Sequence, residues 1–300
     1  MAYSPETGHV CDGRITATSG NAVTTADVAG TANVYYTPYK GNRIALYDGS
    51  STWNTRSFSE ITVSLSGATA DKPYDIFAYD NAGVVTIEKL IWTNTTTRAT
   101  ALTTQDGVLV KNGVTTRRYL GTIYINASGG QTDDTTEKRY IWNYYHRQFR
   151  ALRRVESTGT WTYTTATWRQ ANGAAANQVD VVIGVAETPV VLSLIVASKN
   201  STAATSSVNV NRHAAITLDV TNAMNLDTVA VRSGMETANQ MFFDINDPYV
   251  HALNMTHYPA IGRHYYAWIE SATAVGTATW FGASPNSDTM QHGMSGFLYA

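Results

Sequence analysis

Tyr74-Asp75-Ile76-Phe77-Ala78-Tyr79-Asp80-Asn81-Ala82-Gly83-Val84-Val85-Thr86-Ile87-Glu88-Lys89-Leu90-Ile91-Trp92 decides the fold class. Two runs rich in aromatic and β-branched residues flank the turn-forming Asp80-Asn81-Ala82-Gly83, which is the signature of a β-hairpin. Working outward, Val108-Leu109-Val110 leads into Asn112-Gly113, the dipeptide that most readily takes a type I′ turn, and predicts a second hairpin. Upstream, Ile61, Val63 and Leu65 alternate with Thr62, Ser64 and Ser66 as in a half-buried strand. Downstream, Val208, Val210, Ala214, Ile216, Leu218 and Val220 share one face opposite Asn209, Asn211, His213, Thr217 and Asp219, with Arg212 interrupting the apolar side. One segment is ambiguous. Thr135 to Leu152 places Ile141, Tyr145, Phe149 and Leu152 at helical spacing behind Asp134 or Thr135 as cap, yet Tyr140, Trp142 and Tyr144 alternate as in a strand. The expectation there is a short helix or turn, then a strand from about Arg150.

The predicted fold class is therefore all-β, built of antiparallel β-sandwich modules of jelly-roll-like character. Composition agrees. Tyr (18) and Trp (7) suit pleated, half-buried surfaces, and charged residues are only 15%, against about 25% in ordinary soluble domains. The 300 residues allow one large or two moderate domains. The boundary is expected near residue 118, where the hairpin run ends, giving 1–118 and 119–300; Asn126 to Asp134 is the most loop-like stretch in mid-chain. No fixed-length repeat argues for a solenoid or propeller.

Charge and motifs narrow the function classes. A formal net charge of −2, with 21 basic residues balanced by 23 acidic ones, does not suit nucleic-acid binding. The most apolar run, Val179 to Ala197, contains Asp180, Glu187 and Pro189, so no membrane span is expected. Met1-Ala2-Tyr3-Ser4-Pro5-Glu6 lacks the basic and apolar regions of a secretory signal, which implies a product made in the cytoplasm whose extracellular role is reached by lysis or assembly. The single cysteine, Cys11, excludes an internal disulfide, though its thiol can pair between chains. Four Asn-x-Ser/Thr sequons, at Asn94, Asn126, Asn200 and Asn254, read as products of a Thr/Asn-rich surface.

Catalytic signatures are missing. Gly293-Met294-Ser295-Gly296 is not the G-x-S-x-G elbow, and adjacent Asp133-Asp134 reads as a solvated turn or helix cap more than as a paired acid and base. His251, His257 and His264 match neither helical nor strand metal-ligand spacing, although one histidine per chain on a symmetry axis remains an alternative. Asp244, Asn246 and Asp247 read as a turn before Pro248. No catalytic residue, cofactor or metal ligand is assigned. The candidate ligand or interface residues are Tyr140, Trp142, Tyr144, Tyr145 and His146, whose amphipathic rings suit sugar stacking, a core or a subunit interface.

Several longer strings carry a resemblance. Val34-Tyr35-Tyr36-Thr37-Pro38-Tyr39-Lys40-Gly41-Asn42-Arg43-Ile44-Ala45-Leu46-Tyr47-Asp48-Gly49, then Asp106-Gly107-Val108-Leu109-Val110-Lys111, Arg118-Tyr119-Leu120-Gly121-Thr122, Trp142-Asn143-Tyr144-Tyr145, Trp161-Thr162-Tyr163, Gly262-Arg263-His264-Tyr265-Tyr266-Ala267-Trp268 and Gly296-Phe297-Leu298 resemble tailed-bacteriophage tail-fibre or fibre-like virion proteins. Lys199 to Tyr258 carries no shared string and leaves a receptor-facing role open. The resemblance implies a non-enzymatic virion protein, a homotrimer whose partners are other virion proteins and a host cell-surface glycan or protein. It transfers no site residue. Residues 1–118 would be a virion-docking module and 119–300 a trimerising or host-facing one. A head fibre, head decoration or adaptor is the alternative, and a virion-borne polysaccharide depolymerase the third.

Overall fold

The computed structural model describes residues 7–202, 210–224, 231–235, 248–283 and 292–300. The chain is all-β: among the described residues the only helical elements are two three-residue 3-10 turns, Thr7–His9 and Ala171–Gly173. The opening hairpin forms as expected, with Lys72–Asn81 antiparallel to Val84–Ile91 and Asn81 facing Val84. Its two turn residues, Ala82 (φ 51°) and Gly83 (φ 92°), both take the left-handed angles that match the twist of the flanking strands. At Asn112-Gly113 only Gly113 has a positive φ, so the expected type I′ geometry is not met, and the hairpin carries a register shift at Val110/Lys111. The I′-like pair is instead Asp106 (φ 49°) and Gly107 (φ 81°), between Leu102–Gln105 and Val108–Lys111.

These hairpins build a central sheet in the order Val84–Ile91, Lys72–Asn81, Val114–Ile125, Val108–Lys111, Leu102–Gln105, with Ile141–Asn143 also paired to Val114–Ile125. Along its two long strands, Lys72–Asn81 and Val114–Ile125, both faces are buried over most of their length. Ile76, Ala78, Ile123 and Ile125 point into a first core with Val34, Ile44, Leu46 and Leu65 from the earlier strands. Phe77, Tyr119, Tyr124 and Trp142 point into a second core with Val181, Leu192, Ile216, Trp268 and Trp280. A bulge between Tyr119 and Gly121 shifts the strand's alternation, so Tyr119 and Tyr124 share a face despite their odd spacing. Gly121 is required there, because a Cβ would overlap the Trp142 carbonyl oxygen.

The second core is a sandwich. One layer runs Gln178–Ile183, Gly262–Ala272, Arg212–Leu218, Val231–Met235; the other centres on Val190–Asn200, flanked by Gly293–Tyr299, Tyr249–His257 and Ala278–Phe281, with Phe149–Val155 at its edge. The chain passes repeatedly from layer to layer, the jelly-roll-like pattern expected, and among the described residues one short parallel pair, Lys138–Arg139 with Gln178–Ile183, is the exception to antiparallel pairing. Each fully buried tryptophan removes about 150–250 Å² from water, roughly 4–6 kcal/mol before ordering entropy. Trp142, Trp268 and Trp280 thus anchor this core.

Two expectations change. No helix forms between Thr135 and Leu152; of the helix or turn expected, the turn forms, with Thr135 and Lys138 exchanging backbone hydrogen bonds at 2.9 and 3.2 Å, Lys138–Arg139 and Ile141–Asn143 are extended, and the later strand Phe149–Val155 begins within a residue of the predicted position. Residue 118 lies inside strand Val114–Ile125, not in a linker, and the two cores meet across the sheet that contains it. Arg98 joins them further: its Nε and Nη2 donate to Asp75 at 2.8 and 3.3 Å, and Nη2 also to the Gly184 carbonyl at 2.5 Å.

Candidate functional site

The aromatic residues singled out in the sequence are gathered, but into the interior. Tyr140 and Trp142 belong to the second core, and Trp142 is fully buried. Tyr144 packs on that core and stands edge-on to Tyr145 at 4.9 Å. The ring faces are already covered by the chain's own cations: the Arg147 guanidinium lies 5.3 Å from the Trp142 centroid, and Arg118 lies 4.7 Å from that of Tyr145. His146, held at φ 52°, is bonded through Nε2 to the Cys11 carbonyl at 2.8 Å. Of the five, Tyr140 and Trp142 are core residues, while Tyr144, Tyr145 and His146 are half-buried. Tyr140 also reaches a cleft, described below.

The other chemistry-bearing residues serve the framework. Asp133 and Asp134 are not solvated but buried in strand Thr132–Asp134. Asp134 accepts from Arg139 at 2.8 Å and Arg150 at 2.7 Å, and Asp133 from the Gly30 amide at 2.7 Å. His251 is bonded to Ser198 at 2.9 Å, His257 to Tyr266 at 2.9 Å, and His264 to Asp219 at 2.7 Å, three separate pairings. No group of three metal-ligating side chains converges among the described residues. Ser295 sits in an ordinary strand, Gly293–Tyr299. Met1 to Glu6, Val208, Asn209, Asp244, Asn246 and Asp247 lie outside the described residues.

A cleft of about 470 Å³ opens where the central sheet meets the sandwich. Its floor is the ion pair of Asp180 and Arg263, 2.7 Å apart, placed on neighbouring strands by the pairing of Gln178–Ile183 with Gly262–Ala272. Gln178 Nε2 donates to the second Asp180 oxygen at 3.1 Å. Burial raises the Asp180 pKa and Arg263 opposes the shift; burial acts to lower the Arg263 pKa, but Asp180 and the tyrosines carry it upward. Tyr124 and Tyr140, rings edge-on at 4.8 Å, turn their hydroxyl ends to the cleft, and burial pushes both pKa values far above the ordinary phenol, so both hydroxyls are donors near neutrality. Tyr124 donates to Asp71 Oδ1 at 3.1 Å, and Asp71 holds the left-handed φ of 54°. The walls are the methyls of Ala127, Ala175 and Ala176. Sequence patterning had no signal for this site, because its members come from five separated segments.

A second surface is the outer face of the layer centred on Val190–Asn200. Alternate residues point into the core and the others outward, and the outward set includes Phe149, Phe297, Tyr299, Val191, Ile195 and Val250. Phe149 is 73% exposed and meets both Phe297 and Tyr299 with centroids 5.1 Å apart. Register places Val191 beside Phe297, and Ile195 beside Ala252. Among the described residues of these strands the face presents no carboxylate, and its charges are Arg153 and Lys199.

No protein-family model and no curated protein matches the chain. Among solved structures it is similar to a Bacillus thuringiensis Cry1Da tryptic core variant, at 7% identity and a TM-score of 0.19, covering 85% of this chain and 49% of that one. It is also similar to a chain of the infectious bursal disease virus Gx strain, at 9% identity and a TM-score of 0.20, covering 91% and 80%. The chain thus spans about half the length of the first. Likenesses of this size carry no argument about fold or function. No helix among the described residues is long and apolar enough to cross a membrane.

Proposed function

We propose that this protein is a non-enzymatic structural component of a tailed-phage virion, a tail-fibre or fibre-tip protein that takes part in host attachment as a homotrimer. The observation that supports it is the outer sheet face. Solvated antiparallel faces ordinarily alternate to polar and charged residues, and exposed apolar faces lacking charge invite pairing with another protein. Here Phe149, Phe297, Val191, Ile195 and Val250 stand on that face, which among the described residues of its strands presents no carboxylate and only the charges of Arg153 and Lys199. Assembly through it would cover the apolar surface and present several copies of any ligand-binding loop or cleft on one rigid body, so that weak single contacts add up through effective concentration.

The test is the mass of the purified protein in solution by light scattering, with Phe149→Glu as the comparison. Phe149 is largely exposed, so the substitution leaves both cores intact. A trimer that falls to a monomer in the variant is the expected result; a monomeric parent protein at tens of micromolar would count against the assembly. Gold-labelled antibody on intact particles then separates the attachment role from a head fibre, decoration or adaptor: label at fibre tips is expected, and label on the head or collar moves the protein to the second group.

A further inference from the structure

We infer that the cleft between the central sheet and the sandwich is a carbohydrate-binding site that takes an uncharged or amino sugar. The inference names the ligand class for the attachment reading, and its measurement on purified protein does not depend on where the protein sits in the particle.

The argument starts from what the cleft offers. Asp71 presents carboxylate oxygen, Arg263 presents N–H donors, and Tyr124, Tyr140 and Asn126 line the same cavity, the Tyr124 hydroxyl bonded to Asp71 and the Asn126 amide to Asp133. Planar carboxylate and guanidinium groups held side by side, as Asp180 and Arg263 are at 2.7 Å, fit a pair of adjacent hydroxyls, each of which donates to one and accepts from the other. A polyol ring carries several such pairs. The volume of about 470 Å³ lies inside the roughly 300–1,000 Å³ of small-ligand clefts.

Charge selects among ligands. The lining carries Asp71, Glu137 and Asp180 against Lys138 and Arg263, three acids to two bases. Both bases are committed to carboxylates, Arg263 to Asp180 at 2.7 Å and Lys138 to Asp133 at 3.6 Å. An incoming phosphate, uronate or sialate would face Asp71 with no free cation nearby, so anionic ligands are disfavoured. Apart from the Tyr124 and Tyr140 rings, which stand edge-on to each other, the apolar lining is alanine methyl, which gives no deep pocket for a large apolar group. The site is also prearranged: Asp71 is fixed by the Tyr124 hydroxyl and by its own amide, which donates to the Ile125 carbonyl at 3.1 Å.

The experiment is ligand-observed saturation-transfer NMR with the methyl glycosides of glucose, galactose, mannose, glucosamine and N-acetylglucosamine, and with glucuronic acid, each at millimolar concentration. The parent protein is expected to transfer saturation to at least one neutral or amino sugar and not to glucuronic acid. Two variants locate the site. Arg263→Ala removes the donor fork and is expected to weaken binding at least tenfold. Because that change also breaks a buried ion pair, Ala176→Trp is the second: Ala176 is exposed, so the indole fills the cleft without removing any polar contact, and binding should be lost while the thermal melt is unchanged. No transfer to any neutral or amino sugar, preferential binding of glucuronic acid, or binding that survives Ala176→Trp would each overturn the inference.

Discussion

Glu156 shows how single residues set the pH response. Its carboxylate is buried; Oε1 accepts from the Thr158 amide and Oε2 from Asn177 Nδ2, each at 2.8 Å. Burial acts to raise its pKa, but these hydrogen bonds outweigh burial and hold it below the ordinary glutamate value. The folded pKa therefore lies under the unfolded one of about 4.3, and the stabilisation is complete above that value and lost as pH falls through the folded one. Glu156→Gln sets an amide NH2 against the Asn177 NH2 and should cost about 1–3 kcal/mol at pH 7. In urea denaturation from pH 7 down to pH 3 the gap between parent and variant should close; a gap that stays constant would mean that charge plays no part. Glu270 runs the other way. Burial raises its pKa against the opposing bonds from Trp161 and Arg169, so it contributes stability as pH falls toward the ordinary range, not away from it. Neither behaviour was legible in the sequence, where Glu156 follows the strand Phe149–Val155 and Glu270 lies within Gly262–Ala272 with no motif to set either apart. The aromatic run Tyr140 to His146 was legible as a cluster with a core among its readings, but the cover that Arg118 gives the Tyr145 ring was not, because that arginine is brought there by the fold.

At the scale of elements, pattern was read well where alternation was undisturbed. Ile61 to Ser64, Lys72 to Asn81 and Arg212 to Leu218 all form strands where period two placed them. It failed in two kinds of place. Thr135 to Leu152 offered two periods at once, and the extended one prevailed because Ile141–Asn143 finds partners on Val114–Ile125. The bulge at Tyr119–Gly121 breaks alternation inside a strand, so no two-residue template assigns both of its halves correctly. The turn at Ala82-Gly83 gives a prediction. Alanine is held there at φ 51°, a region that L-residues other than Asn and Asp enter at a penalty of about 1–2 kcal/mol. Ala82→Asn converts the turn to Asn-Gly, and should raise stability by roughly 0.5–1 kcal/mol. A denaturation midpoint that does not move, or moves down, would show that the turn is not strained.

For the whole molecule, the decisive feature is that the central sheet is the wall of both cores. A two-part division near residue 118 follows naturally from the sequence, since the hairpins come first and the sandwich strands follow. What the sequence does not display is that Lys72–Asn81 and Val114–Ile125 each send alternate side chains to opposite cores. Removing either core would leave those strands with an exposed apolar face, so the two are expected to unfold together. Tryptophan fluorescence, which reports mainly the second core through Trp142, Trp268 and Trp280, and far-ultraviolet circular dichroism should give coincident urea transitions. Separate midpoints would show that the cores are energetically independent.

Strand Val190–Asn200 is bordered along one side by Gly293–Tyr299, which also pairs with Phe149–Val155. During translation the ribosome must therefore add about a hundred residues after Val190 before that border can form, and about 140 after Phe149. At elongation rates of about 5–20 residues per second this leaves apolar strand faces waiting for several seconds or more. The nascent chain is thus a natural client for a holdase chaperone, and its yield in a heterologous host should depend more on chaperone supply and growth temperature than on the stability of the finished protein.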